Sequence, residues 1–512
     1  MRMENSGKCP MKNKKAKNYI RRGMELLIFL CLLAAALVLA MRLVERKDSA
    51  DKNGDYFDLA GRADVLLLGS SHMINGINPA LLYEEYGIAA YNLGGHGNVM
   101  PVTYWEFVNA LDYATPRYVV IDTYLLDKDY QYLDVMTGTE SEEDKSAAVD
   151  QLHEVLDAFP MSRHKEEAIR DLLSKEDLRW EFRCDFIRYH SRWSQLSSED
   201  YQGVTGRAGK EAILGASMRY EAAQWVDIYE RIDPSEKLEE ETVGKAYLRK
   251  ILDLCKERGI YPILVQIPFA ANDDLQRIAN SAQDIADEYG IPYLNMNYVE
   301  NLINYETDQQ SQTHLNVSGA AKTTAWLGNV LSEEVGVPDR REDAAYQPWR
   351  EAVSSYHSQL REQILNPADL YAELMMLSMD EVSTIVFVNN DSVAFYDETL
   401  KTLIKTLSGT DGIETMAGSP LGYCLIYDPV TDTCEETMRE VPLENIQTSF
   451  GVVNFTSLEK YDLLSVGENL DENQLDYVNN GNIDVQILIY DPQTGEKIGH
   501  LYFSDGGLVK CR

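Results

Sequence analysis

Basic charge is scarce in this chain of 512 residues: 47 Lys and Arg face 83 Asp and Glu, for a formal net charge of −36. No basic footprint covers the bulk of the sequence, which argues against nucleic acid as a partner. Cysteine is sparse too, seven in all. Five of them (Cys184, Cys255, Cys424, Cys434 and Cys511) follow the chain's single long apolar run, and an odd, scattered set is not a disulfide scaffold. Cys424 and Cys434 flank the hairpin-like stretch LIYDPVTDT, so one bridge there and two reduced, buried thiols are both open readings. Internal repeats and low-complexity tracts are absent, which removes solenoids and arrays. The histidines have no acidic partners at ligand spacing, so the sequence calls for no metal and no cofactor.

The charge that is present is unevenly placed. Residues 1–22 hold eight Lys and Arg against Glu4, a net +7, which leaves −43 on the remainder. Immediately afterwards comes LLIFLCLLAAALVLAM, Leu26 to Met41. Sixteen uncharged apolar residues fall slightly short of the roughly 20 that a spanning helix wants, and tilt or snorkelling flanks cover the difference. We read 1–22 as a basic cytoplasmic tail and 23–42 as a transmembrane signal anchor, with the remainder extracytoplasmic by the positive-inside rule. A cleaved signal peptide, with Val38 and Ala40 at its cleavage site, is the rival. The charged leader is long for that, and both readings export the rest of the protein.

Residues 64–127 alternate apolar runs with amphipathic ones. DVLLLG, AAYNLG and RYVVIDTYLL read as strands; NPALLYEEYG and VTYWEFVNALDYA read as helices. Continuous apolar strands alternating with helices predict a parallel sheet covered on both faces. The pattern breaks over 128–240, which is polar and mostly helix-like and reads as an insertion over one sheet edge. It resumes with the helix before Ile260, the strand YPILVQIP, the helix DDLQRIANSAQDIADEYG, the strand IPYLNM and the helix SGAAKTTAWLGNVLSEE. The expected fold is α/β, a three-layer, doubly wound parallel sheet over 55–340. A charged helical connector over 341–380 follows, then a smaller β-rich domain with one helix over 381–512.

Ligands of open parallel sheets bind outside the carboxyl ends of the strands. The first strand delivers Gly69, Ser70, Ser71 and His72. The second delivers Gly94, Gly95, His96 and Gly97, and the third Asp122 to Tyr124. The fourth delivers Pro268 to Asn272, and a polar loop after the fifth carries Thr313, His314, Leu315 and Asn316. A serine, a glycine cluster and a histidine thus reach one rim. Acyl transfer needs that set: a hydroxyl, a base titrating in the right range to take its proton, and backbone N–H groups for the oxyanion.

GSSH after the first strand, YNLGGHG after the second and THLNVSGAAK before the last helix resemble the SGNH/GDSL hydrolase-like superfamily. The likeness covers about residues 55–340. It is closer to the membrane-anchored surface branch, which includes the D-alanyl-transfer protein of lipoteichoic-acid synthesis and the alginate O-acetylation proteins. AYLRKILDLCKERGIYPILVQIPF and YHSRWSQLSSEDY look like that branch as well. The resemblance implies a flavodoxin-like three-layer fold and aligns Ser71 with the nucleophile, whose own N–H would join the oxyanion hole. It aligns His314 with the base and Gly94 or Gly95 with the oxyanion glycine. It also implies a multi-pass membrane O-acyltransferase as partner and a cell-envelope glycan as acyl acceptor.

The chain departs from the family at two places. The aspartate usual three residues before the histidine is Ser311 here; Asp308, six before, would substitute only if the loop bends back. The asparagine usual after the third strand is missing from IDTYLLD. His72, His96, Asn98 and Asn272 are candidates for the substrate pocket. Plainer readings exist: GSS as a turn, His314 as a cap-region residue, the glycines as a tight loop, Arg192 and Trp193 as packing within the insertion. The expected function is a membrane-anchored O-acyl (acetyl) transferase or esterase working through a Ser71–His314 acyl-enzyme. The alternative is a catalytically silent scaffold that binds glycan or an acyltransferase. The end of the chain faintly resembles β-rich domains attached to surface glycan-modifying proteins.

Overall fold

Val65 to Leu68 offers no polar side chain to either face, so a strand made of it must be buried on both. It forms β1 (Val65–Leu68), fully buried. β1 lies between β2 (Ala90–Asn92) and β3 (Tyr118–Asp122), followed by β4 (Tyr261–Gln266) and β5 (Tyr293–Asn295). All pairings are parallel and the order is β2-β1-β3-β4-β5. The structure, a computed structural model, describes residues 10–44, 56–198, 200–201, 213–380, 382–389, 392–439, 441–458, 461–467, 484–504 and 507–511.

Alternation along each strand divides the core in two. Leu66, Leu68, Val119, Ile121 and Leu264 face one helical layer. That layer holds Phe107 of α4 (Met100–Ala110) and Leu248, Ile251 and Leu252 of α9 (Val243–Arg258). Val65, Leu67, Val120, Ile263 and Val265 face the other. There α2 (Ser71–Gly76) gives Met73, α3 (Pro79–Tyr86) gives Leu82 and α12 (Val317–Asn329) gives Leu327. α3 starts on an Asn78 side-chain cap and stops at Gly87 in the left-handed region, as Asn78–Pro79 and Gly87 predict. The chain reverses direction across the sheet between β1 and β3, and at such a point an open sheet leaves a crevice.

The insertion is helical only in its first part: α5 (Glu142–Leu156), α6 (Arg163–Leu172), α7 (Glu176–Arg183) and α8 (Asp185–Tyr189), then a 3₁₀ turn over His190–Ser194. Residues 213–241 return without a helix, against the helix-like reading of 128–240. Their polar groups are spent on neighbours instead. Leu214 O accepts from Asn92 N at the β2 edge, and Ile74 O accepts from Ser217 N. A Cβ at Gly215 would stand 1.9 Å from Asn92 O, so only glycine allows the return segment this close. The helix DDLQRIANSAQDIADEYG divides into α10 (Asp273–Asn280) and α11 (Ala282–Tyr289).

α13 (Gln347–Leu365) and α14 (Leu370–Leu377) fill the 341–380 stretch and are packed rather than loose. Trp349 is fully buried and donates Nε1–H to Ala90 O at 2.9 Å. Beyond them lies a separate antiparallel region. β6 (Ser383–Val388), β7 (Tyr423–Asp428), β8 (Thr433–Glu436), β12 (Val485–Tyr490), β13 (Lys497–Ser504) and β14 (Gly507–Cys511) form a six-stranded sheet ordered β14-β13-β12-β6-β7-β8. α14 and α15 (Glu398–Ser408) cover one face. A three-stranded sheet of β9 (Leu443–Thr448), β10 (Gly451–Leu458) and β11 (Tyr461–Val466) covers the other. β7 and β8 are the hairpin expected around Cys424 and Cys434, but the thiols are not bonded. Cys434 pairs with Tyr427 across the ladder, so the buried Cys424 falls outside the reach of a bridge to it.

α1 (Pro10–Val44) contains Tyr19–Val44, 26 residues whose most apolar 18-residue stretch has a mean hydropathy of 2.7, long and apolar enough to cross a membrane. At 1.5 Å per residue it spans about 39 Å, against about 30 Å of hydrocarbon. Arg2, Lys8 and Cys9 of the expected tail lie outside the described residues.

Candidate active site

β1 ends at Leu68, and two residues turn the chain into α2. Gly69 takes φ +145°, and a Cβ there would lie 2.5 Å from that of Asp122, so the turn requires glycine. Ser70 caps α2: its Oγ accepts from His72 N at 3.2 Å and donates to Asp122 Oδ2 at 2.7 Å. Asp122, fully buried, also accepts from the backbone of Tyr124 and Ile267, so it ties the ends of β1, β3 and β4 together. Burial pushes its carboxyl up to about 6, opposed by those hydrogen bonds. Ser71 is therefore the first helical residue, where an N–H has no partner within the helix. Among the described residues nothing accepts that N–H, while the next N–H groups go to Ser70.

The loop after β5 brings in the histidine. Asn316 caps α12, accepting from Ser318 N and Gly319 N, and its amide donates to Thr307 O and Gln309 O. Gln310 N and Ser311 N both donate to His314 O. The imidazole is held at both ends: His314 Nε2 lies 2.8 Å from Ser71 Oγ, and Nδ1 lies 3.0 Å from Thr313 Oγ1 and 3.3 Å from Ser311 Oγ. For Nε2 to take the serine proton, Nδ1 must carry a hydrogen and donate it to those hydroxyls. Burial lowers the His314 pKa and the nearby Arg219 cation lowers it further, so the ring is neutral at neutral pH.

Asp308 does not orient this histidine. It is buried below the loop, where its carboxylate accepts from Asn304 N, Ser318 Oγ and Lys322 Nζ. Those bonds make it the anchor of the loop that carries His314. Ser311 meets Nδ1 with a neutral hydroxyl. Replacing that hydroxyl by a carboxylate exchanges a neutral hydrogen bond for a charge-assisted one, worth about 1–1.5 kcal/mol more. In an acyl-transfer reaction the gain would fall on the imidazolium that takes the serine proton, so on that reading Ser311→Asp is expected to raise ester turnover about ten-fold. An unchanged or reduced rate in a steady-state ester assay contradicts this.

The other expected residues divide by what they touch. Gly94 N donates to Asn92 Oδ1 and Gly95 N to Gly69 O, so neither N–H is available to an oxyanion. What these glycines provide is room, since a Cβ on Gly94 would meet Ile74 N at 2.9 Å. Asn98 is buried with its amide donating to Glu106, which holds the loop rather than a substrate. Asn272 is exposed and caps α10 by accepting from Leu275 N, so it too has a structural task. His96 is half-buried in the loop after β2. His72 packs beneath the pair instead of lining a pocket: its ring stacks 3.7 Å from Tyr124 and lies 5.3 Å from His314, centroid to centroid. Burial, and then His314, hold it well below the ordinary histidine range, and neither ring nitrogen has a partner among the described residues.

The return segment supplies what sequence reasoning missed. Arg219 O accepts from Val317 N at 2.7 Å, and Ser217 O accepts from Asn75 Nδ2 at 2.9 Å, so this stretch bridges α2 and α12, the elements on either side of the pair. Gln312 donates to Asp227 O and Ala270 O, stitching the histidine loop to the same segment. No periodicity marks 213–241, and only its long-range hydrogen bonds reveal it. Removing the Arg219 charge lets the His314 pKa rise, and the base is then protonated at higher pH. Arg219→Ala should therefore move the acid limb of the kcat/KM–pH profile to higher pH, while Arg219→Lys leaves it nearly in place. A limb that stays put in Arg219→Ala contradicts the assignment.

No protein-family model matches the chain, and no curated protein matches it.

Proposed function

We propose that this chain is a membrane-anchored, extracytoplasmic serine-dependent O-acyl (acetyl) transferase or esterase of SGNH/GDSL type that acts on a cell-envelope polysaccharide. The observation that carries the reading is the 2.8 Å approach of Ser71 Oγ to His314 Nε2 across 243 residues, at the carboxyl edge of a parallel sheet. Ser71 Oγ attacks the acyl carbonyl carbon as its proton passes to His314 Nε2. The tetrahedral oxyanion receives the Ser71 N–H, whose position at the helix start adds the positive end of the local backbone dipoles. Collapse expels the donor alcohol, which takes the proton from the imidazolium and leaves Ser71 acylated. A glycan hydroxyl then gives its proton to His314 and attacks the acyl-enzyme; water in its place makes the reaction hydrolysis. The basic N-terminal tail stays in the cytoplasm and α1 spans the bilayer. By family resemblance the acyl donor is a multi-pass membrane O-acyltransferase.

A second reading is a silent scaffold of the same fold. What favours it is that no carboxylate reaches His314 Nδ1 among the described residues. One experiment separates the two. The intact chain, incubated with an activated acetyl ester and examined by peptide mass spectrometry, is expected to carry one added acetyl group on Ser71. An unmodified Ser71 under conditions that acetylate a reference serine esterase leaves the scaffold.

A further inference from the structure

The end of α1 does not hang free of the body. Arg192 donates to Val44 O at 2.8 Å and pairs with Asp200, and α8 and the His190–Ser194 turn pack on the last turn of α1. Around this junction large apolar side chains face solvent: Trp180 (53% exposed), Phe186, Ile187, Trp193 (48%) and Tyr201. Arg183 lies over the Trp180 ring at 5.1 Å. The four arginines of residues 179–193 are each paired with a carboxylate of the body: Arg179 with Glu176, Arg183 with Glu166 and Glu176, Arg188 with Asp150 and Glu181, and Arg192 with Asp200.

Two tryptophans, a tyrosine and a phenylalanine, interleaved with arginines where an apolar helix ends, match what the headgroup boundary of a bilayer selects. Amphipathic rings settle there, with their apolar bodies toward the acyl chains and their polar edges toward water. An exposed patch of this kind on a soluble surface marks an interaction site. Its continuity with α1, a helix long and apolar enough to cross a membrane, favours a lipid surface as the occupant.

We infer that α7, α8 and the His190–Ser194 turn seat this protein on the outer leaflet, with Trp180, Phe186, Ile187 and Trp193 dipping into the headgroup boundary beside α1. The inference rests on α1 being an inserted anchor. It fixes the height of the body above the membrane and adds a second membrane contact to the helix.

The six tryptophans make this measurable, because none lies in α1. The full chain is placed in nanodiscs of phosphatidylcholine whose acyl chains are brominated near the headgroups, and emission is compared with that in unbrominated discs. Trp180 and Trp193 should be quenched, removing about a third of the emission, the share of two tryptophans in six. Trp180→Phe/Trp193→Phe should abolish the quenching, whereas Trp225→Phe should not. A Phe29→Trp variant reports the anchor separately. If its added emission is quenched while the native tryptophans are not, the anchor stands and the surface contact is wrong, as it would be if a partner protein or a second copy covered the patch. Quenching that disappears with Trp225→Phe means another face meets the lipid, which also overturns the proposal. An unquenched Phe29→Trp removes the anchor and the inference together.

Discussion

Ser71→Ala is expected to lower ester turnover by about 10²- to 10⁴-fold and to abolish the acetyl adduct. The range follows from what the pair lacks. In a serine protease, loss of the serine costs about 2 × 10⁶ in kcat, while loss of the acid alone costs about 3 × 10⁴. A Ser–His pair with no acid at all would then exceed its own serine-less form by only about 10². Here Thr313 and Ser311 hydroxyls accept from Nδ1 and favour the productive tautomer, a function the protease acid also performs. Only the charge contribution is missing, so the expected loss lies above that lower bound. The comparison is made with a chromogenic acetate at fixed pH, with circular dichroism confirming that the variant is folded. A rate equal to that of the unsubstituted chain ends the acyl-enzyme reading and leaves the scaffold.

Trp349→Ala is expected to destabilise the α/β unit by about 3–5 kcal/mol, the range for truncating a large buried aromatic. The indole is fully buried in the core that also holds Tyr91 and Phe107, and its N–H donates to Ala90 O, a carbonyl on the edge strand β2. Truncation both opens a cavity and strips that carbonyl of its donor. Chemical denaturation followed by circular dichroism should show the transition at markedly lower denaturant. Trp349→Phe, which keeps most of the volume and loses only the hydrogen bond, should cost less. A loss below about 1 kcal/mol in Trp349→Ala would mean that 341–380 is a tether lying on the surface. The outcome bears on the site as well, because Asn92, Gly94 and Gly95 follow directly from β2.

The strands, most of the helices and the loops that carry Ser71 and His314 were legible in the sequence, for local reasons. An all-apolar tetrad has to be a doubly covered strand, Asn78–Pro79 starts a helix and Gly87 ends one. A parallel sheet then brings every strand's carboxyl end to one side. From those facts alone a serine and a histidine 243 positions apart belong on the same rim. Where the remaining side chains point follows from no local rule. Asp308 stands near His314 in sequence, yet Lys322, Ser318 and Asn304 claim its carboxylate. The N–H groups of Gly94 and Gly95 look like oxyanion donors until Asn92 and Gly69 take them. Arg219 joins the site on a segment with no periodicity, held by hydrogen bonds to α2, α12 and the histidine loop. Covalent order and hydrophobic pattern decide which segments meet, because burial is a local demand on each segment. Which donor a given carboxylate or carbonyl obtains is settled by competition among groups far apart in the chain, and only the folded arrangement resolves it.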